Sequence, residues 1–258
     1  MDLDLQGRVA LVTGGSKGIG RQIAATFAEA GARVMISSRK QEALEEAAAD
    51  MPGEVGVFVA NAGDPEQARA CVDACVEQFG RLDILVNNAA TNPYFGPTID
   101  IDVPRHDKTW DVNLRGPLVW TQHAWRGWMA EHGGSVLNVA SIGGLTVDHE
   151  AAMGIYGATK AALIHLTRQL AYELAPGVRV NALAPGVIKT DMARALWEPN
   201  EQGLSAAIPL QRMGTPADVA NLALFLSSDL ASWVTGQVHV VDGGATVTGM
   251  APYPGPGH

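Results

Sequence analysis

Tyr156 and Lys160 are the residues whose types and spacing most directly suggest chemistry. They are four positions apart in YGATK, at the start of a predicted helix, so their side chains share one helix face. A free tyrosine has a pKa near 10 and is a poor base at neutral pH. A neighbouring ammonium favours the phenolate, and about 4 kcal/mol of such stabilisation would bring the pKa to about 7. The pair is a candidate acid/base centre, although YxxxK also occurs by accident on many helices.

A glycine-rich turn, TGGSKGIG, follows the apolar run VALVT (9–13) and is a candidate nucleotide site. Gly14, Gly18 and Gly20 permit a tight turn and a close backbone approach to a pyrophosphate at a helix N-terminus. The spacing is G-xxx-G-x-G, which differs from GxGxxG, and no GK[ST] of a Walker loop is present. Taken alone, an ordinary loop remains the alternative for this turn.

The elements that must position these residues alternate along the chain. Short apolar runs and longer amphipathic segments follow one another, a pattern typical of parallel βαβ units. Strands are predicted at 9–13, 34–37, 55–60, 82–87, 135–140, 178–183 and 237–241, and helices up to about residue 30 and at 41–50, 65–79, about 104–131, about 154–175 and 216–227. We therefore predict one α/β domain over 1–258, a Rossmann-type doubly wound sheet of about seven parallel strands with helices on both faces. Its ligand would lie outside the carboxyl ends of the strands.

Composition narrows the function classes. The net charge of −9 argues against a nucleic-acid partner, which would need a basic surface. No apolar run reaches the roughly 18 residues of a membrane-spanning helix, and the N-terminus lacks the pattern of a signal peptide. We expect no membrane association and a cytoplasmic location. Cys71 and Cys75 are expected to be reduced, packed thiols, and no ligand spacing predicts a metal site.

Further blocks resemble those of the short-chain dehydrogenase/reductase family. Besides the glycine spacing and YGATK, they are NNAA (87–90), DVNLRG around Asn113, Ser141, NALAPG (181–186) and TGQ…DGG (235–244). They stand in the family's order and cover nearly the whole chain. The resemblance implies an oxidoreductase that interconverts a ketone and a secondary alcohol with a nicotinamide cofactor.

The resemblance also implies roles for individual residues. Tyr156 would be the acid/base, Lys160 would bind the nicotinamide ribose and tune Tyr156, and Ser141 would hold the reacting oxygen. Asn113 would anchor a water that links Lys160 to solvent. The implied cofactor-binding residues are Gly14, Ser16, Lys17, Gly18, Ile19, Gly20, Ser38, Arg39, Asn61, Ala62, Asn88, Ala89, Tyr156, Lys160, Pro185, Gly186, Ile188 and Thr190. Ala90 and Asn61 depart from the family, which usually has Gly and Asp at these positions.

The end of the second strand predicts the kind of nicotinamide cofactor. An NAD site places an acid there, whereas this chain reads Ser37-Ser38-Arg39-Lys40. Arg39 can pair with a phosphate through its planar guanidinium, and Lys17 supplies a second cation. The sequence therefore predicts NADP(H), with solvated surface cations as the alternative.

Residues 189–213, called the lid here, contain Pro199, Gly203 and Pro209, which predict a long loop with short helical pieces next to the ligand crevice. The predicted substrate contacts are Ser141, Ile142, Tyr94, Met192 and Trp197, with Pro93 and Met153 also in the lining. These residues are largely apolar, which suits a hydrophobic ketone or secondary alcohol. The Pro- and Gly-rich segment 249–258 is a candidate mobile tail.

Three functions remain open from the sequence. A 3-oxoacyl-thioester reductase acting on a carrier protein would need basic residues near the site, and only Arg126 and Arg179 lie near the candidate region. A general carbonyl reductase or alcohol dehydrogenase acting on a small hydrophobic ketone is the alternative. A non-catalytic NADP-binding regulator is disfavoured because all four catalytic positions are kept.

Trp120, Trp125 and Trp128 crowd one predicted helix. They cannot all face one way, so some are expected to meet a partner subunit. The resemblance to the family implies that this helix and the Tyr156 helix pair across a dimer, and a homotetramer is predicted, with a dimer as the alternative.

Overall fold

A computed structural model describes residues 3–147 and 153–247, apart from the side chain of Ala195. The tail predicted at 249–258 lies outside the described residues. In the described part of the chain, no helix is both long enough and apolar enough to cross a bilayer.

Seven parallel strands form one sheet in the order β3-β2-β1-β4-β5-β6-β7. Their bounds are β1 Val9–Thr13, β2 Arg33–Ser38, β3 Val55–Val59, β4 Ile84–Asn87, β5 Gly134–Val139, β6 Val178–Pro185 and β7 Val238–Val241. The order reverses between β1 and β4, so the connections that follow these two neighbouring strands run to opposite sides of the sheet. That is where a doubly wound sheet opens a crevice. The predicted fold class is confirmed.

Helices cover both faces of the sheet. They are α1 Gly18–Glu29, α2 Gln41–Ala49, α3 Pro65–Phe79, α4 Val103–Trp110, α5 Gly116–Ala124, α6 Ala130–His132, α7 Gly154–Glu173, α8 Arg194–Trp197, α9 Glu201–Ala207 and α10 Pro216–Ser227. On β1, Ala10 and Val12 pack in the cluster beneath α1, α2 and α10, whereas Val9 and Leu11 pack beneath α3, α5 and α7. The alternation follows from the two-residue period of a strand.

The predicted helix over 104–131 is less regular than its sequence suggested. Two π-helical segments, Asp111–Arg115 and Trp125–Met129, interrupt it on either side of α5. Each widened turn rotates the residues that follow, so a simple 3.6-residue period misplaces the side chains. The lid contains short helical pieces, namely α8, the 3₁₀ turn Glu198–Asn200 and α9.

The aromatic side chains on this irregular helix have different surroundings. Trp120 is 1% exposed in the core, so it is not available to a partner subunit as the sequence had allowed. Trp125 is 39% exposed, and Trp128 stacks on His132 with ring centroids 3.8 Å apart. The homotetramer stays a prediction. Cys71 and Cys75 are buried free thiols on α3, and burial raises the pKa of both.

A buried carboxylate fixes the start of the two central strands. Asp83 accepts hydrogen bonds from the backbone N–H of Val9 at 2.8 Å and from the Arg81 guanidinium at 2.7 and 2.8 Å. Its side chain is 6% exposed, and Arg8 lies 3.8 Å away. Because Val9 begins β1 and Arg81 precedes β4, the Asp83 side chain joins the beginnings of these two strands.

We predict that Asp83→Asn lowers the free energy of unfolding by about 2 kcal/mol, because Arg81 loses a charged partner in a largely buried place. Urea titration of both proteins measures the difference. Asp73→Asn is the matched control: Asp73 is 62% exposed and 3.9 Å from Arg69, and the change should stay within about 0.5 kcal/mol. Equal losses for the two variants would contradict the structural role of Asp83.

Candidate active site

A cleft of about 1550 Å³ opens at the carboxyl ends of the strands. Most of the site residues predicted from the sequence belong to the lining of this cleft. They are Gly14, Ser16, Lys17, Gly18, Ile19, Ser38, Arg39, Asn61, Ala62, Asn88, Ala89, Ser141, Ile142, Tyr156, Lys160, Pro185, Gly186, Ile188, Thr190 and Met192. Gly20, Tyr94, Asn113 and Trp197 are predicted site residues outside this lining.

The glycine-rich turn is fixed by hydrogen bonds between the ends of β1 and β4. The Thr13 hydroxyl donates to the carbonyl of Val86 at 3.2 Å and accepts from the backbone N–H groups of Asn88 and Ala89 at 3.0 and 3.1 Å. The Asn88 amide in turn donates to the Thr13 carbonyl at 2.9 Å. Gly14 has φ +67°, and a Cβ there would lie 2.8 Å from the Asn88 amide nitrogen, so only glycine fits.

The start of α1 faces the cleft without a capping side chain. Lys17 holds the N-cap position in an extended conformation, and no side chain within the described residues accepts from the first turn of the helix. Backbone N–H groups at such an end carry partial positive charge and suit an anion. Gly18 and Ile19 of this turn line the cleft, whereas Gly20 is buried behind it.

Cations and a free hydroxyl gather at the outer end of the cleft. Lys17 and Arg39 are both exposed, and no described acidic side chain pairs with either of them. The Ser38 hydroxyl is buried and has no hydrogen-bond partner among the described residues. This end of the cleft therefore offers donors and positive charge that the protein does not itself neutralise.

The loop 61–63 forms the adjoining wall. The Asn61 side-chain oxygen accepts from the N–H of Gly63 at 3.2 Å. The Trp120 indole N–H donates to the carbonyl of Ala62 at 3.1 Å, and Arg115 donates to the carbonyl of Gly63 at 3.0 Å. The buried tryptophan thus holds a wall of the cleft in place, a role that its size and apolar character did not predict.

Lys160 lies at the floor of the cleft. It is 2% exposed, and its Nζ donates to the carbonyl of Val139, at the end of β5, at 2.7 Å. Its Nζ is 5.6 Å from the centroid of the Tyr156 ring. Burial lowers the pKa of Lys160 to about 7, because removal from water disfavours the ammonium.

Tyr156 and Ser141 are held together next to Lys160. Burial raises the pKa of Tyr156 to about 12, and a hydrogen bond with Ser141 acts in the opposite direction. The turn Ile142–Gly144 follows Ser141 and packs directly on the first turn of α7: a Cβ at Gly157 would lie 2.6 Å from the Gly143 carbonyl oxygen. This close backbone contact sets the distance between the two hydroxyls.

Asn113 lies beneath the cleft rather than in its lining. It is fully buried in the π-helical segment Asp111–Arg115. Its side-chain amide accepts from the N–H of Thr91 at 2.8 Å and donates to the Thr91 carbonyl at 2.9 Å and to the Thr159 hydroxyl at 3.2 Å. Thr159 donates to the carbonyl of Tyr156 at 2.7 Å. Asn113 thereby joins the loop after β4 to the turn that carries Tyr156.

The inner end of the cleft is mostly apolar. Ile142 and Met192 line it as predicted, but the Tyr94 hydroxyl donates to the carbonyl of Pro97 at 3.0 Å, and its neighbour Phe95 lines the cleft instead. Trp197 likewise turns away, and Leu196 takes its place. Further lining residues at this end are Thr91, Asn92, Thr146, Val147, Met153, Ala193, Leu204, Ala207, Ile208 and Ala245. Tyr94 lies in an irregular loop, where no periodicity shows which side chain turns inward, and α8 is a single turn, too short for its inward face to be predicted from the sequence.

Arg179 is not available at the surface near the cleft. Its guanidinium donates to the backbone carbonyls of Leu226, Ser228 and Val234 at 2.8 to 3.4 Å. The side chain therefore stabilises the turn after α10, and one of the two basic residues considered for a carrier-protein contact is already engaged.

Comparison with known proteins agrees with this geometry. The family model described as "Enoyl-(Acyl carrier protein) reductase" matches residues 14–246. "Dehydrogenase/reductase SDR family member 4" from Homo sapiens is 40% identical over 246 residues, which are 93% of this chain and 88% of that protein. "Tropinone reductase-like 3" from Erythroxylum coca is 38% identical over 247 residues, 93% of each chain.

Solved structures are similar over nearly their whole length. A short-chain type dehydrogenase/reductase from Mycobacterium marinum superimposes with a TM-score of 0.88 at 34% identity, covering 95% of this chain and 97% of that one. A glucose/ribitol dehydrogenase of the short-chain family from Brucella melitensis gives a TM-score of 0.90 at 31% identity, covering 95% and 99%. With the family's blocks now placed around one cleft, the chain belongs to the short-chain dehydrogenase/reductase family of oxidoreductases.

Proposed function

We propose that the protein is an NADP(H)-dependent reductase of hydrophobic ketones that also oxidises the corresponding secondary alcohols. The observation that carries this proposal is the convergence of Ser141, Tyr156 and Lys160 on the floor of a cleft whose outer end holds the unpaired cations Lys17 and Arg39.

The residues at the outer end fit a dinucleotide that carries a 2′-phosphate. The glycine turn and the uncapped start of α1 suit a pyrophosphate, and the wall 61–63 suits the adenine. Arg39, Lys17 and the unpartnered Ser38 hydroxyl offer donors to the phosphate, and no carboxylate at the end of β2 opposes it. Pro185, Gly186, Ile188 and Thr190 would hold the nicotinamide half. When bound, this cofactor supplies or accepts the hydride.

The chain's own residues handle the proton. In the reductive direction, Tyr156 donates its hydroxyl proton to the carbonyl oxygen as negative charge develops there, and Ser141 donates a hydrogen bond to the same oxygen. Lys160 is held by the carbonyl of Val139, so its position does not depend on the substrate. In its ammonium form it stabilises the phenolate that Tyr156 becomes after proton transfer.

The inner end of the cleft supports a hydrophobic substrate. Phe95, Ile142, Met192 and Leu196 are apolar members of the lining, which also contains the charged residues Asp107, Lys108, Asp111 and Asp191. The engagement of Arg179 in the fold further disfavours a carrier protein as the substrate's anchor. Reduction of a 3-oxoacyl thioester is the second candidate, because the matching family model is described as "Enoyl-(Acyl carrier protein) reductase", which also names an acyl thioester as substrate although the bond reduced is C=C rather than C=O.

The central test is Tyr156→Phe. We expect turnover of ketones with NADPH to fall by about 100- to 10,000-fold, because the proton donor is lost. NADPH affinity should stay within about threefold, since the ring remains. Steady-state kinetics across ketones, 3-oxoacyl-CoA compounds and secondary alcohols measure the first effect, and cofactor fluorescence measures the second.

Tyr172→Phe is the matched control for this test, because Tyr172 is on the same helix and 84% exposed. Its activity should equal that of the wild type. A Tyr156→Phe variant that keeps a tenth of the activity would assign the proton transfer to another group.

The two directions of the reaction should differ in pH dependence. Because the pKa of Tyr156 is raised to about 12 in the protein alone, the hydroxyl is protonated at neutral pH and ready to act as an acid. Alcohol oxidation needs the phenolate, whose fraction grows with pH below that pKa, so its kcat should rise between about pH 6 and 9. Ketone reduction should not rise over this interval. Parallel increases in both directions would contradict Tyr156 as the titrating group.

The cofactor preference can be tested at the end of β2. Arg39→Leu should weaken NADPH binding by about tenfold and leave NADH binding nearly unchanged, because it removes one charge-assisted contact to the 2′-phosphate. Combining Ser38→Asp with Arg39→Leu should reverse the preference. Calorimetry gives all four affinities, and Arg69→Leu on α3 is the control for loss of a surface cation. Equal affinities of the wild type for both cofactors would refute the NADP(H) assignment.

A further inference from the structure

The lid is a closed loop with a fixed base. Ile188 and Gly214 form an isolated β-bridge where it leaves and rejoins the domain. The Lys189 N–H donates to the Gly214 carbonyl at 2.9 Å, and the Gly214 N–H donates to the Val187 carbonyl at 3.1 Å. Any displacement of the lid must therefore occur beyond these bonds, in the part that contains α8 and α9.

Trp197 connects that outer part to the base. It is the last residue of α8 and is half-buried, and its indole N–H donates to the carbonyl of Thr190 at 3.2 Å. The Lys189 Nζ is 6.0 Å from the centroid of its ring and pairs with Glu201, the first residue of α9. The Trp197 indole on α8 is thus next to Lys189 at the base of the lid, and Lys189 in turn pairs with Glu201 on α9.

Thr190 is the point at which the lid meets the glycine-rich turn. It lines the cleft, and its methyl carbon is 3.3 Å from the position that a Cβ on Gly18 would occupy. Leu196, next to Trp197 on α8, lines the apolar end of the same cleft. Two hydrogen bonds therefore link Thr190, beside the cofactor half, to α8: the bond from the Trp197 indole, and a bond of 3.4 Å from the Ala193 N–H to the Thr190 hydroxyl.

We propose that Trp197 is a positioning residue that couples the lid to the cofactor half of the cleft. The inference rests on the proposed function in one respect, namely that a dinucleotide fills the space beside Gly18 and Thr190. With Thr190 held from that side, its carbonyl fixes the Trp197 indole. The indole then keeps Leu196 over the substrate end. Cofactor binding thereby orders the apolar wall against which a ketone packs.

The test reads the lid directly, without turnover. Arg194 is on α8 with a side chain 55% exposed, so trypsin can cut there when the lid opens. We expect NADPH to slow cleavage after Arg194 in the wild type by about fivefold or more, the size of effect carried by one neutral hydrogen bond. Trp197→Phe keeps the ring but not the N–H donor, and we expect NADPH to give it little protection. Mass spectrometry identifies the cut.

Trp233→Phe is the matched control, because Trp233 is 99% exposed and outside the cleft. It should be protected like the wild type. NADPH affinity of each protein is measured by cofactor fluorescence, so that protection is compared at equal saturation. As a second readout, Trp197→Phe should raise the KM for ketones by about fivefold with kcat within about twofold, because it weakens the positioning of the wall rather than proton transfer.

Two results would overturn the coupling: protection of Trp197→Phe equal to that of the wild type, or no protection of a wild type saturated with NADPH. A wild type that reduces no ketone but shows protection dependent on Trp197 would refute the proposed function and leave the coupling standing. The two proposals therefore fail on different measurements.

Discussion

The hydrogen bonds that join the carboxyl ends of β1 and β4 are the constraint on which the cleft depends. Thr13 and Asn88 tie the two strand ends together at the point where the strand order reverses. Because the two strands cannot separate there, the connections that follow them diverge to opposite faces of the sheet and leave the space between them open. The uncapped start of α1 and the floor formed after β5 face that same space, so one pair of side chains sets the position of both halves of the site.

The floor of the cleft contains two buried titratable groups. Tyr156 and Lys160 are both held in a place that disfavours their ionised forms, and no described carboxylate pairs with the lysine. The sequence led to the expectation that a neighbouring ammonium, together with the positive nicotinamide of the oxidised complex, lowers the pKa of Tyr156 to about 7. In the protein alone, burial outweighs the hydrogen bond with Ser141 and raises the pKa of Tyr156 to about 12. Under the proposed function, the charges of the cofactor would complete the balance, which links proton transfer to cofactor occupancy.

Much of this organisation could be predicted from the sequence, for identifiable reasons. Strands such as Val9–Thr13 are short apolar runs between helical segments, and the family's blocks fall at their carboxyl ends. The π-helical segment around Asn113 could not be predicted, because its widened turn leaves no mark in the apolar pattern. Phe95 was missed in favour of its neighbour Tyr94 for a related reason. In an irregular loop the inward-facing side chain is decided by backbone turns and by contacts with distant segments.

Trp120 and Trp197, on two sides of the cleft, also make contacts that could not be predicted from the sequence. Both were assigned from size and apolar character, one to a subunit interface and one to the substrate, and both instead donate an indole N–H to a loop carbonyl. A loop carbonyl has no strand or helix partner, so a nearby donor is needed to fix it. Tryptophan supplies that donor on a large ring that also excludes water. Trp120 acts from the buried core and Trp197 from the lid. Under the two proposals, the wall beside the cofactor would be fixed in advance, whereas the wall beside the substrate would respond to what the cleft contains.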